Sequence, residues 1–350
     1  MSARVKIDEI DVRILKTLLK DPRTSFAEIA KQCEMSINAI RMRFKRLEQV
    51  GVIQGAIMQV NPRSLGYCCI AYLMIRADTN KEQSVLEFLE KTPNVIHSFQ
   101  QMGRTNIHCL VALESIDELG HTIEHVWEHP YIMMVEEVIW VDIVRMDHPE
   151  NLVIESLDGL LHTTDLLPTD GNPKPTITPP PEASELIKEN NCRACYELDE
   201  NDQLIIKILS ENARMSFRKI AKKVGISTQS VIRRYKRLRK DISPYSSITL
   251  NLRKLGYIGT ALFLIKITHQ KKASKVVDEI LSVPNVITAI RTFGNFDIFV
   301  AAPFSNYEQL FKLNKSINKI SGVMQTELLW GEAFVKWPLN LFSKLLYKQR

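Results

Sequence analysis

Two stretches of this 350-residue sequence are near copies of each other: residues 36–47 read SINAIRMRFKRL, and residues 227–238 read STQSVIRRYKRL. Each copy opens on a serine, Ser36 or Ser227, whose side-chain oxygen can accept a hydrogen bond from an unpaired backbone N–H in the first turn of a helix. Each copy also ends on a cluster of basic side chains. Both stretches are therefore predicted to form cationic helices.

The two stretches lie inside a longer internal repeat. When the sequence is slid against itself until Ser36 meets Ser227, the match continues along the chain to a pair of tryptophans, Trp140 and Trp330. A repeat of this length indicates a duplicated module of about 140 residues, which is too large to be a solenoid unit.

The segment between the copies has a different composition. It contains LPTDGNPKPTITPPPEASE, which is rich in Pro and Thr and poor in large apolar residues. This composition is typical of an extended linker with polyproline character. We therefore expect the two copies to be separate folding units.

The overall charge is mildly positive, +6 with an isoelectric point near 8.9. This balance permits binding to nucleic acid but does not require it. No apolar run reaches the roughly 18 residues of a membrane span, and the N-terminus lacks the apolar stretch of a signal peptide. We expect a cytoplasmic protein with no membrane partner.

Two further patterns could hold a metal, but neither is specific. His121, His125 and His129 recur at four-residue spacing, which on a helix forms one stripe. A solvated polar face is favoured there because a proline follows at once. Cys192 and Cys195 could bind zinc with a partner pair or act as a redox switch, but a lone pair with this spacing favours an incidental role. No metal and no cofactor is predicted.

Hydrophobic periodicity divides each copy into two parts. Residues 8–47 place apolar side chains at helical spacing in three short segments, of which the third is the basic stretch. The residues after it alternate as strands, and a small hairpin or wing is expected near residues 51–60. The order then becomes strand, helix, strand, strand, helix, strand, the ferredoxin-like arrangement with both helices on one face of a four-stranded sheet.

These patterns predict an α+β fold built from two copies of a winged helix-turn-helix domain followed by a ferredoxin-like βαββαβ domain. In the first copy the strands and helices are expected at 68–75, 82–91, 95–101, 107–113, 116–127 and 134–141. In the second copy they are expected at 258–267, 271–281, 286–292, 297–302, 306–320 and 324–330. The predicted domains are 1–60 and 196–250 (helix-turn-helix), 61–147 and 251–336 (ferredoxin-like), 148–195 (linker) and 337–350 (tail).

The three-helix part of each copy matches the helix-turn-helix, in which the third helix lies in a DNA major groove. If Ile40, Phe44 and Leu47 pack inward, the opposite face of the first basic helix is exposed, and the second basic helix follows the same spacing. The side chains predicted to contact double-stranded DNA are Ser36, Asn38, Arg41, Met42, Arg43, Lys45, Arg46, Thr228, Gln229, Arg233, Arg234, Lys236 and Arg237.

Side-chain chemistry separates base readers from phosphate anchors. Asn, Gln and Arg can pair bidentately with purine edges, and an exposed Met42 or Ile232 can meet a thymine methyl group. Phosphate contacts, which add affinity without sequence choice, are expected for Arg43, Arg46, Arg237, Arg239 and Lys240. The alternative is a solvated basic face with no nucleic acid partner. Two copies in the same three-helix context favour DNA binding.

The motifs resemble those of the Lrp/AsnC family of transcription regulators. The family pattern D-x-x-D-x-x-I-L begins here at Asp8, R-x-S/T-x-x-E-I-A at Arg23, and the basic pattern at Ser36, and the second copy supplies similar residues from Asp199 and Arg214 onward. Membership implies a winged helix-turn-helix joined to a ferredoxin-like module that binds an effector, dimerises and often assembles into larger rings.

The resemblance also suggests an effector site. In the family, a Gly-x-Tyr/Phe-Asp turn lies near the amino-acid effector, and the second copy contains this turn as Gly294, Asn295, Phe296 and Asp297. The first copy has Gly103, Arg104, Thr105 and Asn106, which loses the aromatic residue and the carboxylate. A carboxylate suits an ammonium group, so the effector is assigned to the second module. Alternatively, both turns need only glycine for a tight backbone.

The resulting hypothesis is a sequence-specific transcription regulator with two readers in one chain, arranged as an internal pseudo-dimer or a homo-oligomer. The second wing lacks Gly-Val-Ile and is expected to be reshaped. One enzyme alternative remains, because some proteins similar to this family work as paired halves that decarboxylate siroheme. The basic exposed helix faces argue against it. A third alternative is a small-molecule sensor that has lost DNA binding.

Overall fold

The computed structural model describes residues 4–141, 146–155, 198–241, 245–268 and 272–347. The elements of the first half are α1 (Glu9–Lys20), α2 (Phe26–Cys33), α3 (Ile37–Gln49), β1 (Ile53–Met58), β2 (Cys69–Ala77), α4 (Glu82–Lys91), β3 (Val95–Gln100), β4 (Ile107–Leu113), α5 (Asp117–Trp127) and β5 (Ile132–Trp140). Those of the second half are α6 (Glu200–Glu211), α7 (Phe217–Val224), α8 (Thr228–Asp241), β6 (Ser246–Leu250), β7 (Gly259–Ile267), α9 (Ala273–Leu281), β8 (Thr288–Gly294), β9 (Ile298–Phe304), α10 (Tyr307–Asn318) and β10 (Val323–Glu332). Among the described residues, no helix is both long and apolar enough to span a membrane.

Side-chain caps fix where the N-terminal helices begin. Asp8 and Asp11 form a capping box at the start of α1, in which the Asp8 carboxylate accepts from the Asp11 backbone N–H at 2.9 Å. Ser25 caps α2 by accepting from the Glu28 N–H at 3.1 Å. Such caps satisfy donors that have no partner within the helix. The mixed α+β class predicted from periodicity is confirmed.

Each half contributes a four-stranded antiparallel sheet with the ferredoxin-like strand order. The first sheet runs β5-β2-β4-β3, and the second runs β10-β7-β9-β8. The alternation along β2 explains how the first sheet packs. Ala71 and Leu73 face the helices α4 and α5, whereas Tyr72 and Met74 face the second sheet.

The inner faces of the two sheets share one hydrophobic core, with Tyr72 and Trp140 from the first half beside Leu262 and Phe299 from the second. β5 also pairs with β8, so that the strands form one eight-stranded sheet. The expectation that the two copies are separate folding units is therefore wrong. Each inner sheet face is apolar and needs the other to exclude water.

The wing predicted as a hairpin near residues 51–60 is a different structure. β1 pairs antiparallel with β6 of the second half, in a register that runs from Ile53 opposite Leu250 to Met58 opposite Ser246. A two-stranded ribbon joins the helical parts of both halves in place of two local hairpins. Its apolar side chains enter the same core as α1 and α6. Periodicity predicted a strand here, but it carries no information about the strand's partner.

Two segments assigned to linker and tail pack against the helical parts. Within residues 146–155, Leu152 is fully buried, and the Lys16 ammonium of α1 donates to the Glu150 carbonyl at 3.1 Å. In the second half, the Leu250 N–H donates to the Trp337 carbonyl at 2.6 Å, and Phe342 is buried between the sheets. The first segment also contacts the second half, where the His148 N–H donates to the Ile287 carbonyl at 2.7 Å.

Candidate DNA interface and effector turns

The helix α3 presents the predicted face to solvent. The Ser36 hydroxyl caps it by accepting from the Ala39 N–H at 3.1 Å. Ile40, Phe44 and Leu47 are buried on its inner side. The exposed outer face carries Asn38, Arg41, Met42 and Lys45. Side chains able to read base edges therefore share one accessible surface.

The helix α8 has the same design with smaller differences. The Ser227 hydroxyl accepts from the Ser230 N–H at 3.1 Å, so this serine caps the helix as expected. The exposed side chains are Thr228, Gln229, Arg233 and Lys236. Ile232, predicted to be outside, is half-buried, and so is Tyr235, the counterpart of the buried Phe44. Among its described residues, the outer face of α8 thus has no exposed apolar side chain like Met42 of α3, which is 68% exposed.

The arginines on the inner edge of α3 have a role that the sequence reading missed. The Arg43 guanidinium donates to the Asp8 carboxylate at 2.7 Å and to the Asp11 carboxylate at 2.9 Å. Arg46 donates to the other Asp11 oxygen at 2.9 Å. The Asp11 side chain is 1% exposed, and a buried carboxylate needs such paired donors. These contacts hold α3 against the start of α1.

The second half repeats the arrangement residue for residue. Arg234 donates to Asp199 at 2.6 Å and to Asp202 at 2.7 Å, and Arg237 pairs with the same buried Asp202. That Arg43, Arg46 and Arg237 contact phosphates stays a prediction; in the structure their guanidinium groups pair with aspartates, and the Arg46 and Arg237 side chains are 45% and 52% exposed. The D-x-x-D pattern before each three-helix unit was the available signal.

Hydrogen bonding shifts the pKa of the capping aspartates. At Asp199, the backbone N–H of Asp202 and the Arg234 guanidinium lower the pKa of the carboxyl. At Asp8, burial alone would raise the pKa, but hydrogen bonds from the Asp11 backbone and from Arg43 outweigh it, and the pKa lies below its ordinary value. Both groups are therefore carboxylates at neutral pH.

The turn of the second half borders a polar cavity. Gly294 has φ +128°, a conformation that favours glycine, and Phe296 is buried between the sheets. The Asp297 carboxylate accepts from the Ile267 N–H at 2.8 Å. The adjoining cavity has a volume of about 330 Å³, and its lining residues are Val141, Ile267, Thr268, Ala273, Arg291, Thr292 and Asp297.

The corresponding turn of the first half is filled by its own side chains. Arg104 donates to Glu327 of β10 at 3.0 Å and pairs with Glu136 of β5. The Asn106 side chain accepts from the Ala77 N–H at 2.8 Å and donates to its carbonyl at 2.9 Å. Asn106 thus holds the end of β2 as Asp297 holds the end of β7. The missing carboxylate is replaced by an amide in the same structural role.

The metal candidates are not assembled into a site. His121 lies 3.6 Å from Glu124 and His125 lies 2.8 Å from Glu128, as exposed ion pairs along α5. His129 lies beyond the end of that helix. No group of three His, Cys, Asp or Glu side chains able to hold a metal ion occurs among the described residues. Cys192 and Cys195 lie outside them.

Three family models match the chain at the segments described above. An AsnC-type helix-turn-helix domain matches residues 198–239, and a winged helix-turn-helix DNA-binding domain matches residues 7–54. A third model, the Lrp/AsnC ligand binding domain, matches residues 260–329. Both three-helix units are therefore similar to DNA-binding domains, and the second sheet module is similar to a ligand-binding domain.

Curated relatives and a solved structure share parts of this organisation. The HTH-type transcriptional regulator Ptr1 of Methanocaldococcus jannaschii is 32% identical over 114 residues, which cover 33% of this chain and 77% of Ptr1. The regulatory protein AsnC of Escherichia coli K12 is 35% identical over 118 residues, covering 33% of this chain and 78% of AsnC. The crystal structure of the siroheme decarboxylase NirDL is alike in fold, with a TM-score of 0.57 at 14% identity, over 97% of this chain and 98% of that chain.

The relatives and the family models agree with the geometry. Ptr1 and AsnC are each matched over more than two thirds of their length at above 30% identity. The matched models are a helix-turn-helix and the ligand-binding domain that follows it, in the order in which this chain carries them. The chain therefore belongs to the Lrp/AsnC family.

Proposed function

We propose that this protein is a sequence-specific, DNA-binding transcription regulator. Its single chain carries two readers, the three-helix units that contain α3 and α8, produced by a tandem duplication. The observation that carries the proposal is that both helices expose an Asn or Gln, an Arg and a Lys on the face opposite their buried side. These are the side chains that pair with base edges in the major groove. The readers lie within the proposed domains 1–60 and 196–250.

One chain supplies both readers, and they are joined by the β1–β6 ribbon. This supports an internal pseudo-dimer that binds two half-sites about one helical turn, or a multiple of it, apart. Because the exposed side chains differ between α3 and α8, the two half-sites are expected to differ in sequence. Larger homo-oligomers built from such chains are compatible with this arrangement.

The experiment is selection of duplexes from a random library, followed by affinity measurements over a range of salt concentrations. Specific binding should weaken as salt rises, with a slope set by the number of phosphates contacted. Arg41→Ala and Arg233→Ala should each cost about 1–3 kcal/mol and relax sequence preference at a different half-site. Arg13→Ala, which removes an exposed charge from α1, is the matched control. Equal binding of all sequences by the unmodified protein would contradict the proposal.

The cavity beside Asp297 supports a small-molecule effector such as an amino acid. Its lining includes the Asp297 carboxylate, which also lies 3.5 Å from the Lys266 ammonium, and the Arg291 side chain; these charges suit an ammonium and a carboxylate respectively. The Asn295 amide beside it donates to Glu136 at 2.6 Å. Calorimetric titration with single amino acids tests this part. The turn at Gly103, Arg104 and Asn106 is not proposed to bind an effector, because Arg104 is engaged by two glutamates.

The fold likeness to NirDL, named as a siroheme decarboxylase, keeps an enzyme as the second candidate. The cavity that the described residues enclose between the two sheets has a volume of about 50 Å³, room for a few water molecules and far less than a tetrapyrrole needs. Incubating the purified protein with siroheme and recording visible spectra and product mass distinguishes the two functions. Conversion of siroheme would support the enzyme.

A further inference from the structure

Two arginines, one from each reader, contact the other reader. Arg23 follows α1 in the first reader, and its guanidinium donates to the Ala213 carbonyl at 2.5 Å and the Met215 carbonyl at 3.1 Å. Its guanidinium carbon lies 4.0 Å from the ring centre of Phe217 and 5.3 Å from that of Tyr235. All four partners belong to the second reader.

Arg214 of the second reader makes the reciprocal contacts. Its guanidinium donates to the Pro22 carbonyl of the first reader. The guanidinium carbon lies 5.0 Å from the ring centres of both Phe26 and Phe44. Arg23 and Arg214 are both half-buried, and burial lowers the pKa of each. A desolvated guanidinium interacts more strongly with an aromatic face than one in water.

The stacked rings connect these arginines to the recognition helices. Phe44 lies on the inner face of α3, two residues before Arg46 of the last turn, and Tyr235 occupies the corresponding position of α8. A side chain that supports the inner face of a helix fixes the direction in which its outer face points. Besides the aspartate contacts within each half, α8 thus receives support from Arg23 of the first half, and α3 receives support from Arg214 of the second.

We propose that Arg23 and Arg214 are crossed positioning residues, each holding the recognition helix of the other reader so that the separation of the two half-sites is fixed. This inference rests on the proposed DNA-binding function. The charge and hydrogen bonds of Arg23 also stabilise the fold, so a test must separate positioning from stability. The two roles predict effects in different readers. A local structural role would affect the reader that carries the arginine, whereas a positioning role would affect the other reader.

The first measurement is backbone hydrogen exchange of the full chain, which needs no DNA. Arg23→Ala should raise exchange in α8 more than in α3, and Arg214→Ala should raise it in α3 more than in α8. Arg23→Lys should resemble Arg23→Ala, because an ammonium cannot reproduce the planar stacking and forked donors of a guanidinium. The control Arg13→Ala should change neither helix. Faster exchange confined to the reader that carries the substitution would overturn the proposal.

The second measurement uses the duplex selected by the unmodified protein. Arg41→Ala and Arg233→Ala first assign each half-site to a reader. Arg23→Ala should then reduce affinity about 2- to 30-fold, the range from an exposed to a desolvated cation–π contact. The reduced affinity should be accompanied by lost sequence preference at the half-site of α8. The Arg23→Ala variant should also lose less affinity than the unmodified protein when about half a helical turn of DNA is inserted between the half-sites.

The outcomes distinguish this inference from the proposed function. If the unmodified protein does not bind duplex DNA, the proposed function is wrong. Hydrogen exchange still decides whether each arginine supports the recognition helix of the other reader. If it binds DNA specifically and Arg23→Ala keeps the same spacing requirement and half-site preferences, the positioning role is excluded while the function stands.

Discussion

The turns at Gly103 and Gly294 occupy matching positions in the two halves, but the space beside each turn is filled differently. In the first half, Arg104 fills the space and pairs with Glu136 and Glu327. In the second half, the turn borders a cavity of about 330 Å³. The same backbone turn therefore carries a cross-link in one half and borders a cavity in the other. The difference lies in the side chains after the glycine.

The largest expected effect comes from adding a methyl group to the tighter turn. A Cβ at Gly103 would lie 2.2 Å from the buried Leu329 Cδ2, at a φ of +147°, so Gly103→Ala should lower the free energy of unfolding by about 2–4 kcal/mol. At Gly294, the nearest atom is the Glu137 carbonyl oxygen at 3.1 Å, and Gly294→Ala should cost less. Urea unfolding measures both changes.

A helical glycine supplies the control for this pair. At Gly120 in α5, an added Cβ would have no atom within 4 Å beyond its chain neighbours and the backbone of its own helix, so Gly120→Ala should be neutral or stabilising by up to about 1 kcal/mol. If Gly103→Ala and Gly294→Ala lower the free energy of unfolding equally, the two turns are packed equally tightly, which contradicts the expected difference.

Removing the cross-link should have a smaller effect. Arg104→Ala leaves the carboxylates of Glu136 and Glu327, which are 12% and 20% exposed, without this guanidinium. The Arg104 side chain is 41% exposed, so solvent screening limits the loss to roughly 1 kcal/mol. Lys312→Ala, which breaks an exposed pair with Glu308, should leave stability nearly unchanged, because solvent screens the pair. The cross-link has no special role if both variants unfold at the same urea concentration.

The carboxylate of the second turn can be exchanged for the amide that the first turn already uses. Asp297→Asn should keep the bond to the Ile267 N–H and change stability by less than about 0.5 kcal/mol, whereas Asp297→Ala should cost about 1 kcal/mol. Calorimetry should show that Asp297→Asn weakens amino-acid binding, because the ammonium loses its counter-charge. Unchanged binding by Asp297→Asn would assign the carboxylate to the fold alone.

The smallest effect at neutral pH concerns the aspartates that hold the readers. The pKa values of Asp8 and Asp199 are lowered in the folded chain, so their contribution to stability is complete above the unfolded value of about 3.9. It decreases as the pH falls through the folded pKa. Unfolding free energies between pH 6 and pH 3 should fall less steeply for Asp199→Asn than for the unmodified chain. A parallel pH profile would show that this carboxyl does not contribute.

Local patterns predicted the elements well because each depends on neighbours in sequence. The helix predicted at 82–91 and the strand predicted at 107–113 have those bounds in the structure. The outward faces of α3 and α8 also followed from helical spacing, apart from the half-buried Ile232. Periodicity reports which side of an element is apolar, and this was enough to place the candidate base readers.

Contacts between the halves could not be predicted in the same way. The pairing of β1 with β6 and the contact of Arg23 with Phe217 join residues far apart in sequence. Nothing in a strand's alternation identifies its partner, and an arginine beside a turn has the same local signature whether it contacts phosphate, solvent or a distant ring. The aspartate partners of Arg43 and Arg234 lie within the same half, 32 and 35 residues away in sequence, and the repeated D-x-x-D pattern was the signal that could have identified them.

The core shared between the two sheets has a consequence for synthesis of the chain in the cell. Until translation reaches β7 and β9, the inner face of the first sheet, including Tyr72 and Trp140, has no cover. A nascent polypeptide whose translation stops before the second copy would expose that apolar surface to chaperones and proteases. Maturation is therefore expected to wait for the ribosome to finish the second copy.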